Sequence, residues 1–175
     1  MPPLLKRNRT ERPTDDGPPR LLIVDDNADA AHVLAKILRA AGYEVAEVAD
    51  QQTTVSMLTA APGPIAGVVA SFTTTGTSAG LRLLDAIRNH SEATVSSLRY
   101  LLVSDNPRQQ LYGLQAGADA IIVRPYASVD LVEAVGEMVA RDDEERVAYR
   151  RKLIGALKAE GAEPVAAASV TPTFF

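Results

Sequence analysis

Apolar residues in this chain come in short bursts that alternate between two spacings. Leu21-Leu22-Ile23-Val24 is a continuous run, as expected of a strand buried on both faces. After Asp25-Asp26-Asn27, Ala30, Val33, Leu34, Ile37, Leu38 and Ala41 recur at helical spacing, and Gly42 stands where a helix would stop. The alternation then repeats. Tyr43–Val48 reads as a strand and Gln51–Ala60 as a helix ended by Pro62-Gly63-Pro64. Ile65–Phe72 is a third strand, followed by the hydroxyl-rich loop Thr73–Ala79 and a helix over Gly80–Asn89. Leu98–Val103 and Ala120–Val123 are the last two strands; Arg108–Ala116, stopped at Gly117, and Val129–Ala140, with Ser128 as its cap, are the helices after them.

Five strand–helix alternations with short connections predict an α/β domain, a doubly wound parallel sheet with helices on both faces. Ligands of such sheets gather at the carboxyl ends of the strands, near the point where strand order reverses. Asp25-Asp26, Ser71-Phe72, Ser104-Asp105 and Arg124-Pro125 all lie just past or at the end of a predicted strand, so chemistry is expected there.

The ends have a different texture. Residues 1–20 are rich in proline and carry Lys6, Arg7, Arg9 and Arg12 with little apolar periodicity, which predicts a mobile arm before a domain over 21–140. Beyond Ala140, the acidic cluster Asp142-Asp143-Glu144-Glu145 leads into Val147–Glu160, read as a helical extension over 141–160 with Asp142 and Arg146 paired at i,i+4 on an exposed face. Residues 161–175 read as a flexible tail closing on Phe174-Phe175. At 175 residues, 46% hydrophobic, 23% charged and net charge −4, nothing suggests a nucleic-acid binder. The absence of cysteine excludes disulfides, thiolate metal sites and cysteine nucleophiles. No apolar run approaches the length of a bilayer span, so neither a membrane partner nor a location outside the cytoplasm is expected.

Taken in order, several motifs resemble the receiver domains of bacterial response regulators, the CheY-like family. They are Leu22-Ile23-Val24-Asp25-Asp26-Asn27, the Ala79–Arg88 helix with its glycine, Leu102-Val103-Ser104, Ala116-Gly117-Ala118-Asp119-Ala120 and Val123-Arg124-Pro125-Tyr126. The resemblance covers about 21–140 and implies strand order 2-1-3-4-5. It also implies a chemistry. In the family a phosphoryl group passes from a kinase histidine to an aspartate ending the third strand. Mg2+ is held by the acidic pair and that aspartate, and a hydroxyl and a lysine from the fourth and fifth strands contact the phosphoryl oxygens.

The sequence departs from this pattern at its centre. No carboxylate occurs between Asp50 and Asp85; counting from Asp26 puts Ser71 at the acceptor position, while counting back from Gly80 gives Phe72. Ser71 is preferred, since Phe72 is a poor residue to project into water, and a serine hydroxyl without an activating base is a weak nucleophile. Arg124 replaces the lysine, Ile121 stands where many relatives carry Tyr or Phe, and the loop 73–78 lacks the usual proline. With one carboxylate missing, any Mg2+ held by Asp25 and Asp26 is expected to be weak, and Arg124 is expected to neutralise one of the pair instead. Ser104 is either a remnant of the phosphate contact or a strand-end hydroxyl bonding nearby backbone.

The function expected is that of a non-enzymatic signalling adaptor, independent of phosphorylation, that binds a protein: a histidine kinase, another regulator or a second copy of itself. Val147, Leu153, Ile154 and Leu157 are the expected interaction surface, free to cover the domain itself, a second copy or a partner. The alternatives are a sensor of a small anion held by Arg124 and Ser104, or a receiver phosphorylated at Asp25, Asp26 or Asp105.

Overall fold

A computed structural model describes residues 17–60, 64–72 and 79–162. Of the expected arm (1–20) and tail (161–175), residues 1–16 and 163–175 lie outside the described residues, as do 61–63 and 73–78; Arg20, expected in the arm, is the first residue of the first strand.

Five strands form one parallel sheet in the order β2-β1-β3-β4-β5: β1 Arg20–Val24, β2 Glu44–Val48, β3 Ile65–Ser71, β4 Tyr100–Ser104 and β5 Ala120–Val123. The helices are α1 Ala28–Ala40, α2 Gln51–Ala60, α3 Ala79–Arg88, a single turn α4 Ala93–Ser96, α5 Gln109–Gln115, α6 Ser128–Ala140 and α7 Asp143–Ala159. Alternate residues of the central strands feed two cores. Leu21, Ile23, Val69, Leu101 and Val103 pack with Leu34 and Leu38 of α1 and Leu131, Val135 and Met138 of α6. Leu22, Val68, Ala70, Tyr100 and Leu102 pack with Leu81, Leu84 and Ile87 of α3 on the other face. Each fully buried leucine contributes about 1.5–3 kcal/mol, so the two-sided burial of β3 and β4 dominates the stability.

Several expected details shift. Val33 is 57% exposed, because the buried stripe of α1 is Ala31, Leu34, Ala35 and Leu38. Ser128 is the first residue of α6 rather than its cap; Ala127 takes the cap position, and its N–H donates to the Asp130 carboxylate at 3.3 Å. α1 and α5 do end at glycines in the left-handed region, Gly42 (φ 96°) and Gly117 (φ 108°).

The extension restarts as a separate helix. Asp142, extended at φ −73° and ψ 177°, caps α7 by accepting from Glu145 N, and the Glu145 carboxylate accepts from Asp142 N in return. The exposed Asp142–Arg146 pair expected from the sequence does not form, since capping occupies Asp142 and Arg146 turns inward to 6% exposure.

Arg146 and Arg88 meet over one carboxylate, Asp119, which is 3% exposed at the amino end of β5. Arg146 donates through Nε (3.1 Å) and Nη2 (2.9 Å), and Arg88 through Nη2 (3.1 Å). Arg150 Nη2 stands 3.8 Å away, and Tyr100 N also donates to the carboxylate, at 2.9 Å. The spare guanidinium hydrogens reach the carbonyls of Ser96, Ser97, Leu98 and Gly117, so this buried charge cluster is hydrogen-bonded throughout. Burial lowers the pKa of Arg88. For Arg146 burial acts the same way, but the hydrogen bonds and charges of Asp119 and Asp143 outweigh it and raise the pKa.

Candidate functional site

The carboxyl ends of β1, β3, β4 and β5 bring together Asp25, Ser71, Ser104 and Arg124. Parallel pairing sets this up: Val24 lies opposite Ala70, Ser71 opposite Val103 and Ser104 opposite Val123, so the residues that end the strands fall level with one another.

Asp25 is the hub. It is 5% exposed, and both carboxylate oxygens are engaged. Oδ1 accepts from Asn27 N at 2.9 Å, holding the turn into α1, while Asn27 Oδ1 caps that helix by accepting from Asp29 N and Ala30 N at 3.1 Å each. Oδ2 accepts a hydrogen bond from Ser71 Oγ and lies 3.7 Å from Arg124 Nη2. A buried, charge-assisted bond of the Ser71–Asp25 kind contributes about 1.5–3 kcal/mol. Asp26, by contrast, is exposed.

The two ways of counting to the end of β3 lead to different environments. Ser71, 3% exposed, turns its hydroxyl to the carboxylate of Asp25. Phe72 is 5% exposed and packs into the α3-side core, its N–H donating to Val103 O at 2.7 Å. The stretch that separates these counts from Gly80 includes residues 73–78, outside the described residues. Gly80 itself is fixed by contact: a Cβ there would lie 2.0 Å from Ser71 O. Its carbonyl accepts from the buried Tyr100 hydroxyl at 2.8 Å.

Arg124 reaches across to Asp25 and to Asp105, whose Oδ1 lies 3.4 Å from Nη1. The arginine is thus committed to two carboxylates. The neighbouring Tyr126 hydroxyl has its pKa raised by burial. Ser104 is 1% exposed and faces its own loop, within hydrogen-bond reach of Asn106 O (3.0 Å) and Gln109 Oε1 while accepting from Asn106 N at 3.1 Å. These are the local contacts of a strand-end hydroxyl. Ile121 is half-buried and presses on α5 where Gly113 leaves room; a Cβ on that glycine would lie 2.5 Å from Ile121 Cδ1.

A small cleft of about 40 Å3 beside Ser71 is lined by Asp25, Asp26, Asp50 and Gly80, among others. Asp50 was not anticipated by the sequence reading. Its carboxylate accepts from Thr53 N and Thr53 Oγ1, both at 2.7 Å, and these bonds hold its pKa below the ordinary value. The donor set does not fit a firmly held Mg2+. Each oxygen of Asp25 already accepts a hydrogen bond, a guanidinium approaches one of them, and no group of three or more acidic or histidine ligands suited to a metal occurs among the described residues.

Of the expected interaction residues, Leu153 and Leu157 of α7 face a cleft of about 180 Å3 shared with Leu114, Ile121 and Ala134. Ile154 is half-buried and Val147 is 48% exposed. Of the surfaces left open by the sequence, α7 therefore lies on its own domain. No helix among the described residues is long and apolar enough to cross a membrane.

The family model described as response regulator receiver domain matches residues 21–136. Among curated proteins, the chain is 31% identical over 124 residues to the transcriptional regulatory protein PrrA of Mycobacterium tuberculosis, covering 70% of this chain and 51% of that protein. It is 28% identical over 132 residues to the transcriptional regulatory protein BaeR of Escherichia coli, covering 75% and 52%. The chain spans about half the length of these relatives. The receiver domain of the sensor histidine kinase PA1611 from Pseudomonas aeruginosa, solved with a magnesium ion coordinated in its active site cleft, superposes with a TM-score of 0.62. Identity there is 20%, covering 71% of this chain and 100% of that one.

Proposed function

The chain belongs to the response regulator receiver domain family, and on that premise we propose that it signals through protein contacts without carrying a phosphoryl group on β3. Receiver domains are in general signalling rather than catalytic modules, and they commonly bind Mg2+. One observation carries the reading: where the acceptor carboxylate is expected, Ser71 turns a hydroxyl into a buried hydrogen bond with Asp25.

The reaction needs a carboxylate nucleophile and a cation to neutralise the incoming oxygens. Neither requirement is met. Ser71 has no histidine beside it; the one basic group at its hydroxyl is the Asp25 carboxylate, a weak base that also neighbours Arg124, and each oxygen of that carboxylate already accepts a hydrogen bond, which weakens it as a metal ligand. Any Mg2+ at Asp25 and Asp26 is weak, because it competes with a guanidinium already in the site. The fourth-strand hydroxyl is kept at Ser104, but the aromatic position that couples it to the far face in many relatives is altered here. Ser104 is bonded within its own loop and Ile121 has no ring to reorient.

The anion-sensor reading is the weaker one, since Arg124 pairs with Asp25 and Asp105 and the Ser104 hydroxyl is bonded within its own loop. The partner proposed is a protein: a histidine kinase, another regulator or a second copy.

Beryllofluoride with Mg2+ mimics the phosphoryl group on an aspartate and tests this directly. The amide NMR spectrum and the melting temperature are expected to stay as they are in Mg2+ alone when beryllofluoride is added. Shifts clustered at Asp25, Ser71 and Arg124 would contradict the reading. A melting temperature raised by a simple anion such as sulfate, and no longer raised in Arg124→Ala, would favour the anion sensor.

A further inference from the structure

α7 is an unusual helix to find docked on a domain. Across 17 residues its one buried side chain is a cation, Arg146, whereas α6 buries Leu131, Val135 and Met138. A helix held by apolar packing buries a stripe of three or four apolar side chains per two turns. Here Leu153, Ile154 and Leu157 are only half-buried, Val147 is 48% exposed, and a cleft of about 180 Å3 remains between the helix and Leu114, Ile121 and Ala134. Attachment is therefore mainly polar and lies in the first half of the helix: Arg146 on Asp119, Arg150 Nη2 3.8 Å from the same carboxylate, and the Tyr149 ring under the Arg141 guanidinium.

Three further features suit that attachment to release. Asp119 keeps Arg88 and the Tyr100 N–H when Arg146 leaves, so its charge stays paired inside the domain. α7 carries its own capping box from Asp142 and Glu145, and its start does not depend on the domain for hydrogen bonds. Between α6 and α7 the backbone is extended at Arg141 (φ −68°, ψ 135°) and Asp142 (φ −73°, ψ 177°); Arg99 anchors the Arg141 carbonyl to the domain, so α7 would hinge after Arg141, releasing the contact of its guanidinium with the Tyr149 ring.

We propose that α7 is a detachable strap over the α5–β5–α6 face, pinned by Arg146 to Asp119 and able to lift about the Arg141–Asp142 joint while the sheet stays folded. While it is down, Leu114, Ile121 and Ala134 are screened from other molecules; when it lifts they become available together. The strap goes beyond the functional reading above and does not depend on it, because no phosphoryl chemistry enters the argument.

Amide hydrogen exchange on the intact chain tests it. Residues 143–159 are expected to exchange as one block, about tenfold or more faster than the amides of α6, because helices that open locally lose protection separately from the core. In Arg146→Met the α7 block should speed up by about another tenfold while β1, β3 and β4 keep their protection. Equal protection of α7 and α6 in the unaltered chain would overturn the proposal. So would an Arg146→Met chain that loses protection across the sheet or fails to fold, since α7 would then be part of one cooperative unit.

Discussion

Ser71 and Asp119 show how much turns on a single side chain. At Ser71 a hydroxyl gives the Asp25 carboxylate a neutral donor beside Arg124, and on the proposed reading it stands where relatives carry a further negative charge. At Asp119 the opposite holds, since one buried carboxylate balances the guanidinium groups of Arg88 and Arg146 with Arg150 close by. Replacing it by Asn leaves buried cations without their counter-charge, so Asp119→Asn is expected to lower unfolding free energy by about 3–5 kcal/mol, read by urea denaturation. A loss under about 1 kcal/mol would mean the guanidinium groups find water or carbonyl partners instead. Ser71 was legible from the sequence because it sits at a counted distance from Asp26. The Asp119 cluster was not. Arg88, Asp119 and Arg146 are scattered along the chain, and only the fold brings them together.

Among the elements, the alternation of buried runs and helical stripes was enough to place every strand to within a residue or two, and parallel pairing follows from it. What escaped was the face each helix presents. Val33 sits inside the apparent stripe of α1 yet is exposed, since at about 3.6 residues per turn it falls nearly opposite the centre of the stripe formed by Ala31, Leu34, Ala35 and Leu38. Arg146 looked like half of a surface pair, because nothing local reveals that Asp142 is consumed in capping. Gly80 was placed by motif, but its reason is contact: the first turn of α3 rests on the carbonyl of Ser71. Gly80→Ala forces backbone apart from backbone at the mouth of the site and is expected to cost about 3 kcal/mol or more in thermal or urea unfolding. An unchanged midpoint would show that α3 can slide away from β3 freely.

On the scale of the whole molecule, the two ends of the sheet do different work. The carboxyl ends hold a corner in which hydroxyl, carboxylate and guanidinium satisfy one another, while the amino ends of β4 and β5 hold the charge cluster that seats α7. The family's fold is retained between them, and the proposed function rests on a changed chemistry at one end. The most direct measurement is the intact mass of the chain after incubation with acetyl phosphate and Mg2+, run beside Ser71→Asp, which restores a carboxylate at the end of β3. The unaltered chain is predicted to keep its mass and Ser71→Asp to gain one phosphoryl group. A phosphoryl adduct on the unaltered chain, at Asp25, Asp26, Asp105 or Ser71, would contradict the account.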